Sequence, residues 1–178
     1  VTFEVAVTFL ARIILPREIR NDTVRFRLYS EYVNHISQGA TMDTKDGRHD
    51  FDFFIGKWKV KHRKLKALMQ GSAEWDEFES TVEDRKILGG IGNFEEMTFQ
   101  RESGAFYGVS LSLFNPKTEE WSQYWVDSTN AVLTSPMVGK FNNGVGEFFA
   151  EDDLDGKPVL ARAIWSKVTA NTCQWEQA

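Results

Sequence analysis

Cysteine is nearly absent from this chain of 178 residues: Cys173 stands alone. One thiol excludes an intrachain disulfide and a cysteine-based zinc site. A small buried hydrophobe is the ordinary role for such a residue. Histidine is also scarce. His35, His49 and His62 fall in different segments, so no metal site is expected. No apolar run reaches the length of a membrane span. The opening "VTFEVAVTFLARIIL" lacks a basic start, carries Glu4 and Arg12, and has no small-residue cleavage site after its apolar part. A soluble, cytoplasmic protein is therefore expected, with no membrane partner. Net charge is -5, which disfavours nucleic acid as a partner.

Aromatic residues are abundant, at 13% with 6 Trp. They suit pleated, half-buried surfaces. The stretch "HDFDFFIGKWKVKHRKLK", residues 49–66, shows what kind of surface. From Gly56 onward, Trp58, Val60 and His62 alternate with Lys57, Lys59, Lys61 and Arg63. A strand sends alternate side chains to opposite faces, so this is a half-buried strand with a dry face and a cationic wet face. In "EWDEFESTVED", Phe78, Ser80 and Val82 alternate with Glu77, Glu79, Thr81 and Glu83. An acidic outer face thus follows a basic one, and antiparallel neighbours would pair Lys and Arg with Glu across the ladder.

The alternation continues to the end. "FYGVSLSLF" sets Tyr107, Val109, Leu111 and Leu113 against Gly108, Ser110 and Ser112. "EEWSQYWVD" sets Trp121, Gln123, Trp125 and Asp127 against Ser122, Tyr124 and Val126. "GVGEFFAED", "PVLARAIWSK" and "TCQWEQ" follow. Asn115-Pro116, Asn142-Asn143-Gly144 and Asp155-Gly156 separate these runs, the last two with tight-hairpin chemistry. Short strands joined by turns, with no helices between, describe an antiparallel meander. A sheet of many such strands closes into a barrel because closure removes exposed edges.

Residues 1–41 differ in character and are expected to form an arm, with the barrel domain over 42–178. The arm opposes five arginines to four carboxylates. Residues 2–10 read as a strand on β-branched content, or as a helix through Phe3, Val7, Leu10 and Ile14. From Asn21 to Ser37, Val24, Leu28, Tyr32 and Ile36 recur at helical spacing. "SQGATMDTKDGR" reads as a linker, and Met42 as an ancestral start behind an added arm.

From residue 49 the chain resembles the domain-of-unknown-function family 1579, through "HDFDFFIGKWKVKHRKLK", "GSAEWDEFEST", "LGGIGNFEEM", "LFNPKTEEWSQYWVDS" and "VGKFNNGVGEFFAEDDLDGKPVLARAIWS". That family is related to the calycin, or lipocalin-like, barrels. The resemblance implies a mainly β, antiparallel lipocalin-like barrel. Gly56-Lys57-Trp58 is similar to the Gly-x-Trp of calycins, whose Trp packs across one barrel end. The family continues beyond "WEQA" into a final strand, whereas this chain stops at Ala178. Segment 2–10 is the candidate to fill that edge, from the same chain or a second copy. A homodimer through the arm or the open edge is expected.

A barrel mouth lined by Trp with a few polar groups suits a small, partly apolar ligand. Trp58, His62, Phe78, Trp121, Gln123, Trp125 and Asp127 are the candidate ligand-binding residues. Two alternatives stand beside this: an enzyme using His62 with Asp127 or Glu95 as acid and base, and a packed barrel with a structural or assembly role. "LGGIGN" lacks the Lys-Ser/Thr of a phosphate loop, and "EDDLDG" lacks the downstream spacing of a calcium loop. Haem is bound in some related barrels through a late histidine, and no histidine follows His62 here. No cofactor is expected.

Overall fold

In a computed structural model, the described residues are 3–9, as backbone only, together with 46–67, 73–101 and 104–178. The expected helix from Asn21 to Ser37, and the expected boundary between residues 41 and 42, lie outside them. No described helix is long and apolar enough to cross a membrane.

The alternating stretches become strands, and the fold is mainly β as expected. They are β1 (Phe3–Phe9), β2 (Gly56–Leu65), β3 (Trp75–Ile87), β4 (Gly92–Arg101), β5 (Gly104–Asn115), β6 (Glu120–Asp127), β7 (Met137–Asn142), β8 (Val145–Leu154), β9 (Lys157–Ser166) and β10 (Thr172–Gln177). From β2 to β10 each strand pairs antiparallel with the next. β1 lies between β10 and β2, parallel to both, and closes the barrel. Its register sets Val5 opposite Cys173 on one side and Val60 on the other. β1 and the nine later strands belong to one compact unit.

The charge pattern fixes the β2–β3 register. Lys57 stands opposite Glu83 and Arg63 opposite Glu77, with ion pairs at 3.3 Å and 3.0 Å. These are exposed pairs, each contributing about 0.2–1 kcal/mol. A slip by one residue would send Trp58, Val60 and His62 into water, so the apolar face specifies register far more strongly. The β7–β8 and β8–β9 hairpins turn through Asn143-Gly144 (φ 50° and 78°) and Asp155-Gly156 (φ 54° and 78°). Two consecutive positive φ values are the turn geometry that matches strand twist, and Asn-Gly and Asp-Gly adopt it most easily.

One end of the barrel is filled by the segment before β2. A short 3-10 turn, Asp52–Phe54, folds Phe51 and Phe54 inward. Phe51 meets Trp121 edge-on at 4.9 Å, Phe141 at 5.0 Å and Trp165 at 5.5 Å. Phe54 stacks on Trp58 at 5.0 Å, and the Trp58 indole N–H donates to the Phe54 carbonyl at 2.6 Å. The Trp121 indole donates to the Gly47 carbonyl at 3.0 Å. Each buried indole thus keeps a partner, and the plug is both apolar and hydrogen-bonded.

Candidate functional site

Inward positions away from the plug mix aromatic rings with short and polar side chains, and they do not fill the barrel. Gly108, Ser110 and Ser112 of β5 face in, while Tyr107 on the same strand is exposed. Ala161 of β9 also faces in. Ser110 and Ala161 line a cavity of about 590 Å³. Its mouth lies at the end opposite the plug, among the β4–β5 hairpin, the β6–β7 connection and the β8–β9 hairpin. A second hollow, about 620 Å³, lies among the loop residues at the plugged end, between residues 46–53 and the β7–β8 turn.

Of the residues expected at a ligand site, His62, Phe78, Gln123, Trp125 and Asp127 line the cavity. Trp58 and Trp121 do not. Both are 1% exposed and belong to the plug. Alternation along a strand sorts residues to inside or outside, but height along the barrel axis depends on register and tilt. That is why two inward Trp residues fell in the wrong layer. Phe99, Phe106, Arg101 and Trp175 also line the cavity and were not singled out in the sequence. Phe99 shares parity with Met97 and Glu95 along β4, which is the signal that marks it as inward.

His62 is 5% exposed and sandwiched in aromatic surface. Its ring stacks on Phe78 at 4.6 Å and leans on Phe99 at 5.1 Å. Its Nε2 is 2.7 Å from the Ser80 hydroxyl, and its buried Nδ1 has no partner. Burial, reinforced by the nearby Arg101 charge, pushes its pKa down to about 4. The imidazole is neutral at ordinary pH. Arg101 itself lies over the Phe78 ring at 4.2 Å, with Phe106 at 5.9 Å.

Asp127 sits at the mouth. It accepts from the Thr129 backbone N–H at 2.8 Å and from the Trp125 indole at 3.2 Å, which together hold its carboxyl below the usual range. The hydrogen bonds of His62 and Asp127 therefore go to separate groups. Gln123 links two walls, accepting from the Trp165 indole at 3.3 Å and donating to Ser112 at 3.4 Å.

The cavity floor carries an unusual pair. Glu95 of β4 stands opposite Asp84 of β3, and both side chains face in. Asp84 has the parity of Ser80 and Val82, so the pattern that places those residues inside places it there too. Asn93 donates to Asp84 Oδ2 at 3.0 Å, while Oδ1 is buried without a partner. Burial pushes Asp84 up to about 7, against the pull of the Asn93 hydrogen bond. Burial also pushes Glu95 up to about 8, helped by the Asp84 charge and opposed by a hydrogen bond with Ser110. Cys173 of β10 lies close by, and burial together with Glu95 raises its thiol to about 12. It is a small buried group, inert as a nucleophile. No group of three or more His, Cys, Asp or Glu suited to a metal ion occurs among the described residues.

No family model, curated protein or solved structure matches the chain.

Proposed function

We propose that this protein is a lipocalin-like barrel that binds one small, partly apolar molecule in its interior. The observation that carries the reading is the cavity of about 590 Å³ between an aromatic plug and an open mouth. Its size is typical of small-molecule sites, and its lining is typical too: aromatic walls with a few polar groups that fix orientation. The kinship with the domain-of-unknown-function family stated above belongs to this proposal. So does a cytoplasmic location, which suits a chain whose one thiol is buried and reduced. A fully packed, purely structural barrel would not leave this space.

A neutral fluorescent probe such as phenylnaphthylamine tests the reading. Its emission is expected to rise on binding, with quenching of the wall tryptophans. Ala161 faces the cavity, so Ala161→Phe fills it and is expected to abolish the signal. Near-ultraviolet circular dichroism reports whether that variant keeps its packing. A wild-type chain that does not bind the probe, or a folded Ala161→Phe that binds it equally well, sinks the proposal.

A further inference from the structure

We propose that the interior site selects a cationic ligand, an amine carrying an apolar body, and that Glu95 is the anionic partner of its ammonium group. This deepens the binding reading above and rests on it.

The cavity lining carries four carboxyls, Glu95, Asp127, Glu151 and Asp152, against two cations, Lys64 and Arg101. Such an imbalance raises the local concentration of cations in a cleft with low-dielectric walls. Arg101 lies over the Phe78 ring, six residues along β4 from Glu95, and is not its counter-ion. Only Glu95 among the four carboxyls is deep, at 8% exposed. The groups that face it are Asp84 from β3, Ser110 from β5 and Cys173 from β10, none of them a cation. A buried carboxyl without a cation stays protonated, and an ammonium delivered beside it would supply the missing charge.

The ladder places the acceptor: Glu95 stands opposite Ser110 across β4 and β5, and both residues line the cavity. An ammonium carries three donors and no acceptor. The aromatic walls add cation–π attraction. An anionic guest would meet the excess of carboxyls in the lining.

Charge balance makes a second statement. At about pH 6.5 Glu95 holds its proton, so pairing with an ammonium releases it to the buffer. Binding of the amine is therefore accompanied by the release of about one proton. Binding of a neutral guest of the same shape releases none.

Three isosteric guests decide the matter: naphthylmethylamine, naphthylmethanol and naphthoate, titrated calorimetrically into the full chain in buffers of different ionisation heat. The amine is expected to bind at least about tenfold tighter than the alcohol, as hydrogen bonds to charged groups allow. Naphthoate is expected to bind weakest. Glu95→Gln is expected to bring the amine-to-alcohol ratio close to one. Where that variant does not fold, the proton count on the wild-type chain decides alone. An alcohol or naphthoate that binds as tightly as the amine overturns the inference and leaves the cavity reading standing. So does amine binding without proton release, or a preference that survives in Glu95→Gln. Failure of all three to bind overturns it too, and the neutral probe then shows whether the cavity reading falls with it.

Discussion

The Asp84–Glu95 pair makes stability fall as pH rises through neutrality, opposite to what surface carboxylates do. Both groups have folded pKa values above their ordinary ones, 3.8 to about 7 and 4.5 to about 8. Their stabilising contribution is thus complete below the unfolded values and is lost as pH rises through the folded ones. His62 has the reverse displacement, from 6.5 down to about 4, so its contribution is complete above 6.5 and is lost as pH falls. The two effects oppose each other at acidic pH. Between pH 6.5 and 8 the carboxyl pair acts without that opposition. Over that window the native pair goes from roughly two bound protons to roughly half of one, while the unfolded pair holds none. Integrated, this is a loss on the order of 2 kcal/mol. Urea denaturation followed by Trp fluorescence at several pH values across the window measures it directly. Glu95→Gln is expected to remove about two thirds of the loss and Asp84→Asn about one third, and the double variant to flatten it. A wild-type stability that is level or rising from pH 6.5 to 8 would refute the burial argument for both carboxyls.

Other consequences follow from packing and pairing. A Cβ at Gly139 would lie 1.8 Å from the Glu147 carbonyl oxygen, a backbone atom that cannot swing away, so Gly139→Ala is expected to cost about 3 kcal/mol in urea denaturation. A cost below about 1 kcal/mol would mean that the β7–β8 ladder yields easily. Lys59 is exposed opposite Thr81, and Lys59→Glu is expected to cost under about 1 kcal/mol; a larger loss would show that this face is covered. Deleting residues 1–9 removes the strand between β10 and β2 and bares both edges, so light scattering is expected to show self-association. A deletion variant with unchanged mass and unchanged urea midpoint would show that β1 contributes nothing to closure.

The strands and their faces were largely legible because alternation is a local signal. Lys57 to Arg63 against Glu77 to Glu83 announced both a register and an outside. Asn-Gly and Asp-Gly announced two hairpins, because the required positive φ values suit those residues. The plug was not legible. Phe53 and Phe54 occupy a short 3-10 turn that Phe51 precedes, and so short a turn has no period to read. Nor was the cavity, since a void is a deficit of volume summed over several strands. Ser110 and Ala161 both line it, though they lie on two strands far apart in the sequence. Gly108 also shows how tightly neighbouring volumes are shared, because a Cβ there would sit 2.1 Å from the Trp125 ring.

The division of the interior into layers ties these features to function. Large rings on the plug side exclude water from one end of the barrel, and the indole hydrogen bonds of Trp58 and Trp121 fix them in place. The next layer holds Asp84, Asn93 and Glu95, polar groups that a fully apolar core would not keep. Without the plug above them these carboxyls would be wet, ionised and unremarkable in affinity for protons. Beneath it both hold their protons more tightly, and Glu95 faces a void with aromatic walls. The plug thus sets the chemistry of the floor, by excluding water and through the Asn93 amide that links the Phe51 carbonyl to Asp84. A change such as Phe51→Ala, at a residue whose carbonyl accepts from the same Asn93 amide that bonds Asp84, is in this logic a change to the proton affinity of Glu95.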